Sequence, residues 1–138
     1  MSTRSSETNL AEVADRIAIR ELTARYNRTW EDLDPDGWAD TFTEEGVLEP
    51  VDMGITIEGR TALRQMAADA GFGVVHLTTD AVIELDGDTA VQVCTLLTAV
   101  RTREPKSVAF SGTGRYTDQL VRTADGWRFK RRTVVMDS

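Results

Sequence analysis

The sequence is short of the residues that form disulfides and metal sites. It has one cysteine, Cys94, and one histidine, His76, in 138 residues. A single cysteine excludes a disulfide within the chain and is typical of a reducing compartment, so we predict a cytoplasmic protein. One histidine, one cysteine and scattered carboxylates give neither H-x-x-x-H nor C-x-x-C spacing, and the sequence therefore predicts no metal site.

Long apolar runs and an excess of positive charge are also missing. No stretch approaches the roughly 20 apolar residues of a transmembrane helix, so no membrane partner is predicted. The formal net charge of −7 argues against nucleic acid as a partner. The glycines of "GTG" at 112–114 lack the following helix that a dinucleotide site needs, so we predict no cofactor there and expect a bulge or bend instead.

The first part of the chain has helical periodicity. Residues 1–9, "MSTRSSETN", are polar and are predicted to form a flexible tail, followed by a single domain over 10–138. Asn9 and Glu12 resemble a capping box at a helix start. A helix over about 10–32 is predicted because apolar residues recur at spacings of three and four: Leu10, Val13, Ile17, Ile19, Leu22, Tyr26 and Trp30.

Shorter elements follow this helix. Asp34 and Pro35 are typical of an N-cap and a first helical position, which predicts a second helix over about 35–42. "GVLEPV" and "GITIEG" predict two short strands around a turn. "RTALRQMAADAG" predicts a third helix that ends at a glycine.

After Gly73 the pattern is that of long strands. "VVHLTTDAVIEL" and "TAVQVCTLLTAV" flank the turn signal "DGD", and "SVAFSGTGRYTDQLVR" and "GWRFKRRTVV" flank "TADG". Helices followed by antiparallel strands predict an α+β fold. We expect a curved, mostly antiparallel sheet to wrap around the long first helix and to leave a cavity between them.

This order of elements resembles the nuclear-transport-factor-2-like superfamily, and within it the SnoaL-like polyketide cyclases, scytalone dehydratase and ketosteroid isomerase. The resemblance covers about residues 10–136. It is carried by "IRELTARYNRTWEDLDPDGWADTFTEEGVLE", "HLTTDAVIELDGDTA" and "GTGRYTDQLVRTADGWRFKRR". The superfamily hosts dehydratases, isomerases, cyclases and non-catalytic binding domains, so the fold it implies does not fix the function.

The resemblance implies roles for a few residues. Arg25-Tyr26 matches the Arg-Tyr of ketosteroid isomerases, whose tyrosine donates to the substrate oxyanion, while the isomerase base falls near "LEPVD" at 48–52. The late-helix aspartate of scytalone dehydratase matches Glu31, and one of its two histidines matches His76. The second histidine has no counterpart in this chain.

The same residues can be weighed by their own chemistry. Tyr26 lies on the apolar helix stripe, where it is either a core residue or a donor to a substrate oxygen. Glu31 is either an exposed helix-end carboxylate or a site residue. Strict alternation places His76, Thr78 and Asp80 on one strand face, which is either solvated or lines a wet cavity, and a carboxylate partner would raise the pKa of His76.

The basic stretch "WRFKRR" has a simpler interpretation. Strand alternation predicts that one face of this strand is basic and solvated. The basic face consists of Arg128, Lys130 and Arg132, and the opposite face of Trp127, Phe129 and Arg131.

These observations predict an enzyme that performs cofactor-free acid–base chemistry, a dehydration, isomerisation or cyclisation, on a small hydrophobic oxygenated molecule. His76 and Glu31 would form the acid–base pair, with Asp32 or Asp52 as other possible partners of the imidazole, and Tyr26 would polarise an oxygen. The predicted substrate contacts are Trp30, Glu49, Asp52 and Met53. The alternative is a non-catalytic ligand-binding or dimerisation domain. The resemblance implies a homodimer through the outer face of the sheet, and apolar residues on both faces of "VQVCTLLTAV" and "WRFKRRTVV" agree with this expectation.

Overall fold

The computed structural model describes the backbone of residues 3–137 and the side chains of residues 10–137. Three helices are formed, α1 (Thr3–Glu31), α2 (Pro35–Ala39) and α3 (Arg60–Ala70), with one 3-10 turn over Val51–Met53. The strands are β1 (Phe42–Pro50), β2 (Ile57–Glu58), β3 (Val74–Asp86), β4 (Thr89–Arg103), β5 (Lys106–Thr123) and β6 (Gly126–Met136). The predicted α+β class is confirmed.

All six strands belong to one sheet, in the order β2-β1-β6-β5-β4-β3. The four long strands β3 to β6 form an antiparallel meander. β1 adds to the edge of β6 in the parallel direction, and β2 pairs antiparallel with β1. The helix α1 packs against β3 and β6, so the predicted curved, mostly antiparallel sheet around the first helix is confirmed.

The helix boundaries differ from the predicted ones in two places. α1 begins at Thr3, so Asn9 lies inside the helix and does not cap it. The predicted cap of α2 is present, because the Asp34 carboxylate accepts a hydrogen bond from the Gly37 amide at 2.9 Å. α2 ends at Ala39 and not near residue 42, because Phe42 already belongs to β1. The division into a tail over 1–9 and a domain over 10–138 stays a prediction.

An aromatic cluster forms the centre of the core between the helices and the sheet. The Tyr26 ring lies 5.2 Å from that of Trp38 and 5.7 Å from that of Phe129, measured between centroids. Phe42 packs against the same rings. Pairs at such distances and tilts add to the hydrophobic stabilisation of burying the rings.

A β-bulge in β6 overturns the prediction of a solvated basic face. Leu120 pairs with Phe129 and Gln119 pairs with Arg131, so Lys130 is an extra residue. The bulge shifts the alternation by one position, and Arg132 therefore points inward, with none of its surface exposed. The predicted exposure of Arg132 is wrong because strict alternation does not hold across an extra residue.

Two further bulges interrupt the long strands. One lies in β3 between Thr79 and Val82, where Asp80 has a positive φ of 56°. The other leaves Ser111 unpaired next to Gly112, which confirms the bulge predicted at "GTG". Bulges bend a strand and increase its twist, which suits a sheet that curves around a helix. Among the described residues, no helix is long and apolar enough to span a membrane.

Candidate active site

A cavity of about 700 Å³ lies between α1 and the edge strand β3, with β4 beneath it. Its walls combine apolar side chains, three charged groups of the helix and a row of polar groups. The lining residues are Arg20, Thr23, Ala24, Asn27, Arg28, Glu31, Val75, His76, Leu77, Thr78, Thr79, Asp80, Ala81, Gln92 and Cys94.

The helix contributes one face to the cavity. Arg20, Ala24, Asn27 and Glu31 recur at spacings of three and four, so they lie on the same side of α1. Asn27 is held by its amide nitrogen, which donates to the Thr78 hydroxyl of β3 at 3.2 Å. This contact joins the helix to the strand within the cavity wall.

His76 is half-buried in the strand wall of the cavity. Its ring meets the Trp30 ring nearly at right angles, at 87°, with the centroids 5.6 Å apart. The Nδ1 atom is buried and has no hydrogen-bond partner among the described residues. Burial and the nearby charge of Arg132 lower the pKa of His76 to about 4, so the imidazole is neutral at pH 7.

Glu31 lines the same cavity from the last position of α1. Its backbone carbonyl accepts from the Arg101 guanidinium at 3.4 Å. The structure therefore brings the two predicted acid–base residues to one cavity. The expected rise in the pKa of His76 from a carboxylate partner is not found, because burial and Arg132 dominate.

Tyr26 does not have the placement predicted for it. The side chain is only 4% exposed and lies within the aromatic cluster behind the cavity wall. The Arg132 guanidinium carbon lies 4.3 Å from the centre of its ring. The prediction that Tyr26 lines the cavity is wrong, because Tyr26 faces the core together with Ile19 and Leu22 of the apolar stripe.

The predicted substrate contacts lie at different places. Trp30 packs against His76 and Trp38 and is not among the residues that line the cavity. Glu49 accepts a hydrogen bond from Arg131 at 2.9 Å, and Asp52 accepts one from the Met136 amide at 2.7 Å. Both carboxylates are thus held by β6, and the residues that line the cavity do not include them or the exposed Met53.

A buried polar network under the cavity was not predicted from the sequence. Arg132 and Asp118 form an ion pair, Nε to Oδ1 2.9 Å, with neither side chain exposed. The Gln92 amide nitrogen donates to Asp118 Oδ2 at 2.9 Å and to the Thr23 hydroxyl at 3.1 Å. The network therefore connects β6, β5 and β4 to α1.

Part of this network has a signal in the sequence. Gln92 shares a strand face with Ala90, Cys94 and Leu96, so it is a polar residue on an otherwise apolar inward face. Asp118 stands in the same relation to Tyr116 and Leu120. Buried polar groups in such positions need partners, which is a reason to expect a network. Arg132 has no such signal, because the bulge at Lys130 determines its direction.

Cys94 also lines the cavity but is not suited to nucleophilic chemistry. Burial raises the pKa of its thiol to about 11, although the charge of Arg132 opposes this. The reactive form of cysteine is the thiolate, which is scarce at pH 7 with such a pKa. Within residues 10–137, no cluster of three or more His, Cys, Asp or Glu side chains could hold a metal ion.

Comparison with known proteins gives a family match over most of the chain. The model of the SnoaL-like domain matches residues 11–133. A Mycobacterium tuberculosis protein of uncharacterized function, Rv2910c, is 31% identical over 137 residues, covering 92% of this chain and 88% of the relative.

Solved structures agree with this match. The M. tuberculosis protein Rv3472, solved as a point variant and of unknown function, is 35% identical, with a TM-score of 0.81 over 90% of this chain and 77% of the other. A Novosphingobium aromaticivorans protein that carries the provisional name scytalone dehydratase is 21% identical, with a TM-score of 0.80 over 96% of this chain and 89% of the other. A likeness at 21% identity shows only a shared fold. That fold is the nuclear-transport-factor-2-like fold.

Proposed function

Because the chain belongs to the SnoaL-like domain family, we propose that it is an enzyme that performs cofactor-free acid–base chemistry on a small, hydrophobic, oxygenated molecule. The observation that carries this proposal is the position of His76, a neutral imidazole that faces the same cavity as the Glu31 side chain. The family and the fold neighbour with the provisional name of a dehydratase support the reaction class.

The lowered pKa of His76 determines the order of proton transfers. A neutral imidazole has one free ring nitrogen that accepts a proton, whereas its N–H is a very weak acid, so His76 acts first as a general base. In a dehydration it takes a proton from carbon and returns it to the departing hydroxyl, which leaves as water. In an isomerisation it returns the proton to a different carbon. Glu31, the other member of the proposed acid–base pair, lies on the helix side of the same cavity.

The shape and lining of the cavity support a substrate that is partly apolar. A volume of about 700 Å³ lies in the usual range for small-molecule sites. Apolar wall positions such as Ala24, Val75 and Ala81 alternate with hydrogen-bonding groups. This mixture suits a carbon skeleton with a few oxygen atoms.

A second candidate function is ligand binding without catalysis. The buried position of Tyr26 removes the predicted oxygen-polarising group from the cavity. A base with a pKa of about 4 is also weaker than the bases that usually serve near neutral pH. In this alternative the same molecules bind and are released unchanged.

The two functions can be separated by one series of experiments. Hydroxylated and carbonyl compounds are screened for a rise in the melting temperature, and each one that binds is incubated with protein and analysed by mass spectrometry. For an enzyme, at least one is dehydrated or isomerised, and His76→Ala and Glu31→Gln each lower the rate by roughly 10²–10⁴. Glu21→Gln, an exposed glutamate of α1, is the matched control. Binding without conversion of any compound would support the binding domain.

A homodimer in the cytoplasm also belongs to the proposal. The outer face of the sheet exposes large apolar side chains on three of its strands: Val82, Val91, Leu97 and Val135. Apolar patches of this kind mark interaction surfaces on soluble domains. The cytoplasmic location rests on the single, buried Cys94.

A further inference from the structure

Two arginines and a phenylalanine meet where β4 ends and β3 begins. The guanidinium carbons of Arg101 and Arg103 lie 4.8 Å and 4.0 Å from the centre of the Phe72 ring. The two positive groups are therefore no farther apart than the sum of these distances. Cation–π contacts of this kind favour the placement of both guanidinium groups at the ring. We call Phe72, Arg101 and Arg103 the arginine cluster.

The positive charge of the arginine cluster has no carboxylate partner among residues 10–137. None of the ion pairs in that part of the chain includes Arg101 or Arg103. Arg101 Nη2 donates instead to the Glu31 backbone carbonyl at the end of α1, at 3.4 Å. The C-terminus of a helix offers only about half a negative charge. The cluster therefore keeps an excess of positive charge.

A ligand can reach the arginine cluster from outside the protein. The Phe72 side chain is 39% exposed, Arg103 is exposed and Arg101 is half-buried. The Nε atom of Arg101 is enclosed by the protein, but its Nη1 atom is not, and Nη1 has no hydrogen-bond partner among the described residues. An oxyanion can therefore approach both guanidinium groups.

The cluster adjoins the end of the cavity that contains the proposed acid–base pair. The Arg101 guanidinium contacts Glu31, and the Arg101 backbone amide donates to the Gly73 carbonyl at 2.9 Å. Three residues of extended chain, about 10 Å, separate Gly73 from His76. Glu31 and His76 both line the cavity. A ligand that lies against His76 can thus extend a terminal group to the cluster.

The charges around the cavity favour an anionic ligand. Four charged side chains line the cavity, and their charges cancel: Arg20, Arg28, Glu31 and Asp80. The arginine cluster adds two positive charges at one end, although the whole chain has a net charge of −7. A positive region beside a cleft of an acidic protein concentrates negatively charged ligands there.

A carboxylate matches this cluster better than a phosphate does. Guanidinium groups bind both through paired N–H donors. A phosphate ester with two negative charges would meet stronger repulsion from the Glu31 carboxylate in the same cavity. The helix end also offsets part of the charge of Arg101. A single negative charge is therefore the better complement.

We infer that Arg101 and Arg103 form an anion-binding subsite at the Glu31 end of the cavity, and that this subsite holds a carboxylate group of the ligand. The substrate class is accordingly a hydrophobic carboxylic acid whose carbon skeleton enters the cavity towards His76. The inference rests on the proposed function for the reaction at His76, whereas the carboxylate contact itself is a matter of binding.

Two probes of nearly equal shape test this contact. 2-Naphthoate carries a carboxylate, and 2-naphthamide replaces it with a neutral amide on the same rings. Dissociation constants are measured by NMR titration of the full chain at pH 7 and low ionic strength. We expect wild type to bind 2-naphthoate about tenfold more tightly, as a hydrogen bond between charged groups implies. Added salt should reduce the preference, because Arg103 is exposed.

Arg103→Gln removes the exposed guanidinium group and should leave the fold intact, because Arg103 forms no ion pair within residues 10–137. It should lower the preference for 2-naphthoate by at least about threefold and leave the affinity for 2-naphthamide within about twofold. Adding Arg101→Gln should abolish the preference. Arg115→Gln is the matched control, because it removes an exposed arginine of β5 outside the cavity lining, and it should keep the full preference.

A readout on wild type guards against misfolding of the double variant: 2-naphthoate should shift the backbone amide resonances of Phe72 and Arg103 more than 2-naphthamide does. Equal affinity of wild type for the two probes, or no binding of 2-naphthoate, would overturn the inference. A preference that survives in the folded double variant would do the same, and so would tighter binding of 2-naphthyl phosphate than of 2-naphthoate.

None of these results depends on turnover. The carboxylate contact can therefore fail while catalysis by His76 is demonstrated. In the same way, a preference that disappears when the two arginines are replaced would stand even if no compound is converted.

Discussion

Arg132 and Asp118 form an ion pair that has no contact with solvent, with Nε and Oδ1 2.9 Å apart. The guanidinium lies over the rings of Tyr116, Tyr26 and Phe129, with its central carbon 3.5–4.4 Å from their centres. Burial, the largest single cause, opposes the charge of Arg132, but Asp118 together with Tyr116, Tyr26 and Cys94 outweighs it and raises the pKa of the guanidinium above its usual value. The core of this domain therefore contains a permanent positive charge.

Removing one member of this pair should be strongly destabilising. Arg132→Met leaves the Asp118 carboxylate buried without its charge partner, and we expect the free energy of unfolding to fall by about 3–5 kcal/mol. Urea denaturation followed by circular dichroism measures the change. Lys130→Met, an exposed basic residue of the same strand, should change it by less than about 0.5 kcal/mol. Similar values for the two variants would contradict the buried pair.

The titration of His76 provides a direct test of its environment. His76 is the only histidine in the sequence, so its ring protons can be followed by NMR without overlap from other histidines. We expect a midpoint near pH 4, because burial and Arg132 disfavour the imidazolium. A midpoint between pH 6 and 7 would mean that the ring is open to solvent or paired with a carboxylate.

The same lowered pKa predicts a pH dependence of stability. Between about pH 6.5 and pH 4 the unfolded chain binds a proton at His76 that the folded chain does not bind. Stability is therefore lost as the pH falls through this window, by up to about 3 kcal/mol from this group. The difference between wild type and His76→Gln, measured by urea denaturation at pH 7 and pH 4.5, isolates the contribution of His76 from that of the carboxylates.

Tyr26→Phe separates a structural role from a chemical one. The variant keeps the ring that packs against Trp38 and Phe129 and removes a hydroxyl from the core. We expect a loss of about 1 kcal/mol in the free energy of unfolding and no change in the affinity for compounds that bind in the melting-temperature screen. A large loss of ligand affinity with unchanged stability would restore Tyr26 to the site.

The proposed dimer can be tested on the outer face of the sheet. Val91→Glu places a charge in the exposed apolar patch, and it should convert a dimer into a monomer in sedimentation experiments at micromolar concentration. Val108→Glu introduces the same change at an exposed valine near the β4–β5 turn and should leave the dimer intact. A wild-type monomer at high micromolar concentration would exclude this assembly.

Much of the fold follows from local patterns in the sequence. Four signals depend only on near neighbours in the chain: the turn signals around Gly87 and Gly126, the proline after Asp34 and the helical spacing up to Trp30. Each of them predicted its element. The expectation that His76 and Glu31 share one cavity rests on the resemblance to scytalone dehydratase, because the sequence pattern around each of them also fits a solvated position. The extent of α1 before Leu10 was missed, because the polar residues there have no apolar periodicity.

The errors concern side-chain direction, which depends on distant pairing. A single extra residue at Lys130 reverses the side to which Arg132 points, and the partner strand β5 determines that register. Tyr26 lies on the helix face that the sheet covers, whereas the cavity borders the neighbouring face with Asn27. Tyr26 and Asn27 are adjacent in the helix, so their side chains differ by about 100° in direction. The spacing of apolar residues does not show which of these two directions faces the cavity.

The parallel pairing of β1 with β6 has a consequence for the order of folding. The β3 to β6 meander consists of neighbours in sequence and can form hairpin by hairpin, whereas Phe42 meets Phe129 only across more than half of the chain. Closing so long a loop is slow relative to forming local contacts. On a ribosome, α1 and β1 are synthesised long before the strand that carries Arg132, so the apolar side of the helix has no complete core to pack against until β6 emerges. A chaperone that holds this helix during synthesis would protect the domain from aggregation.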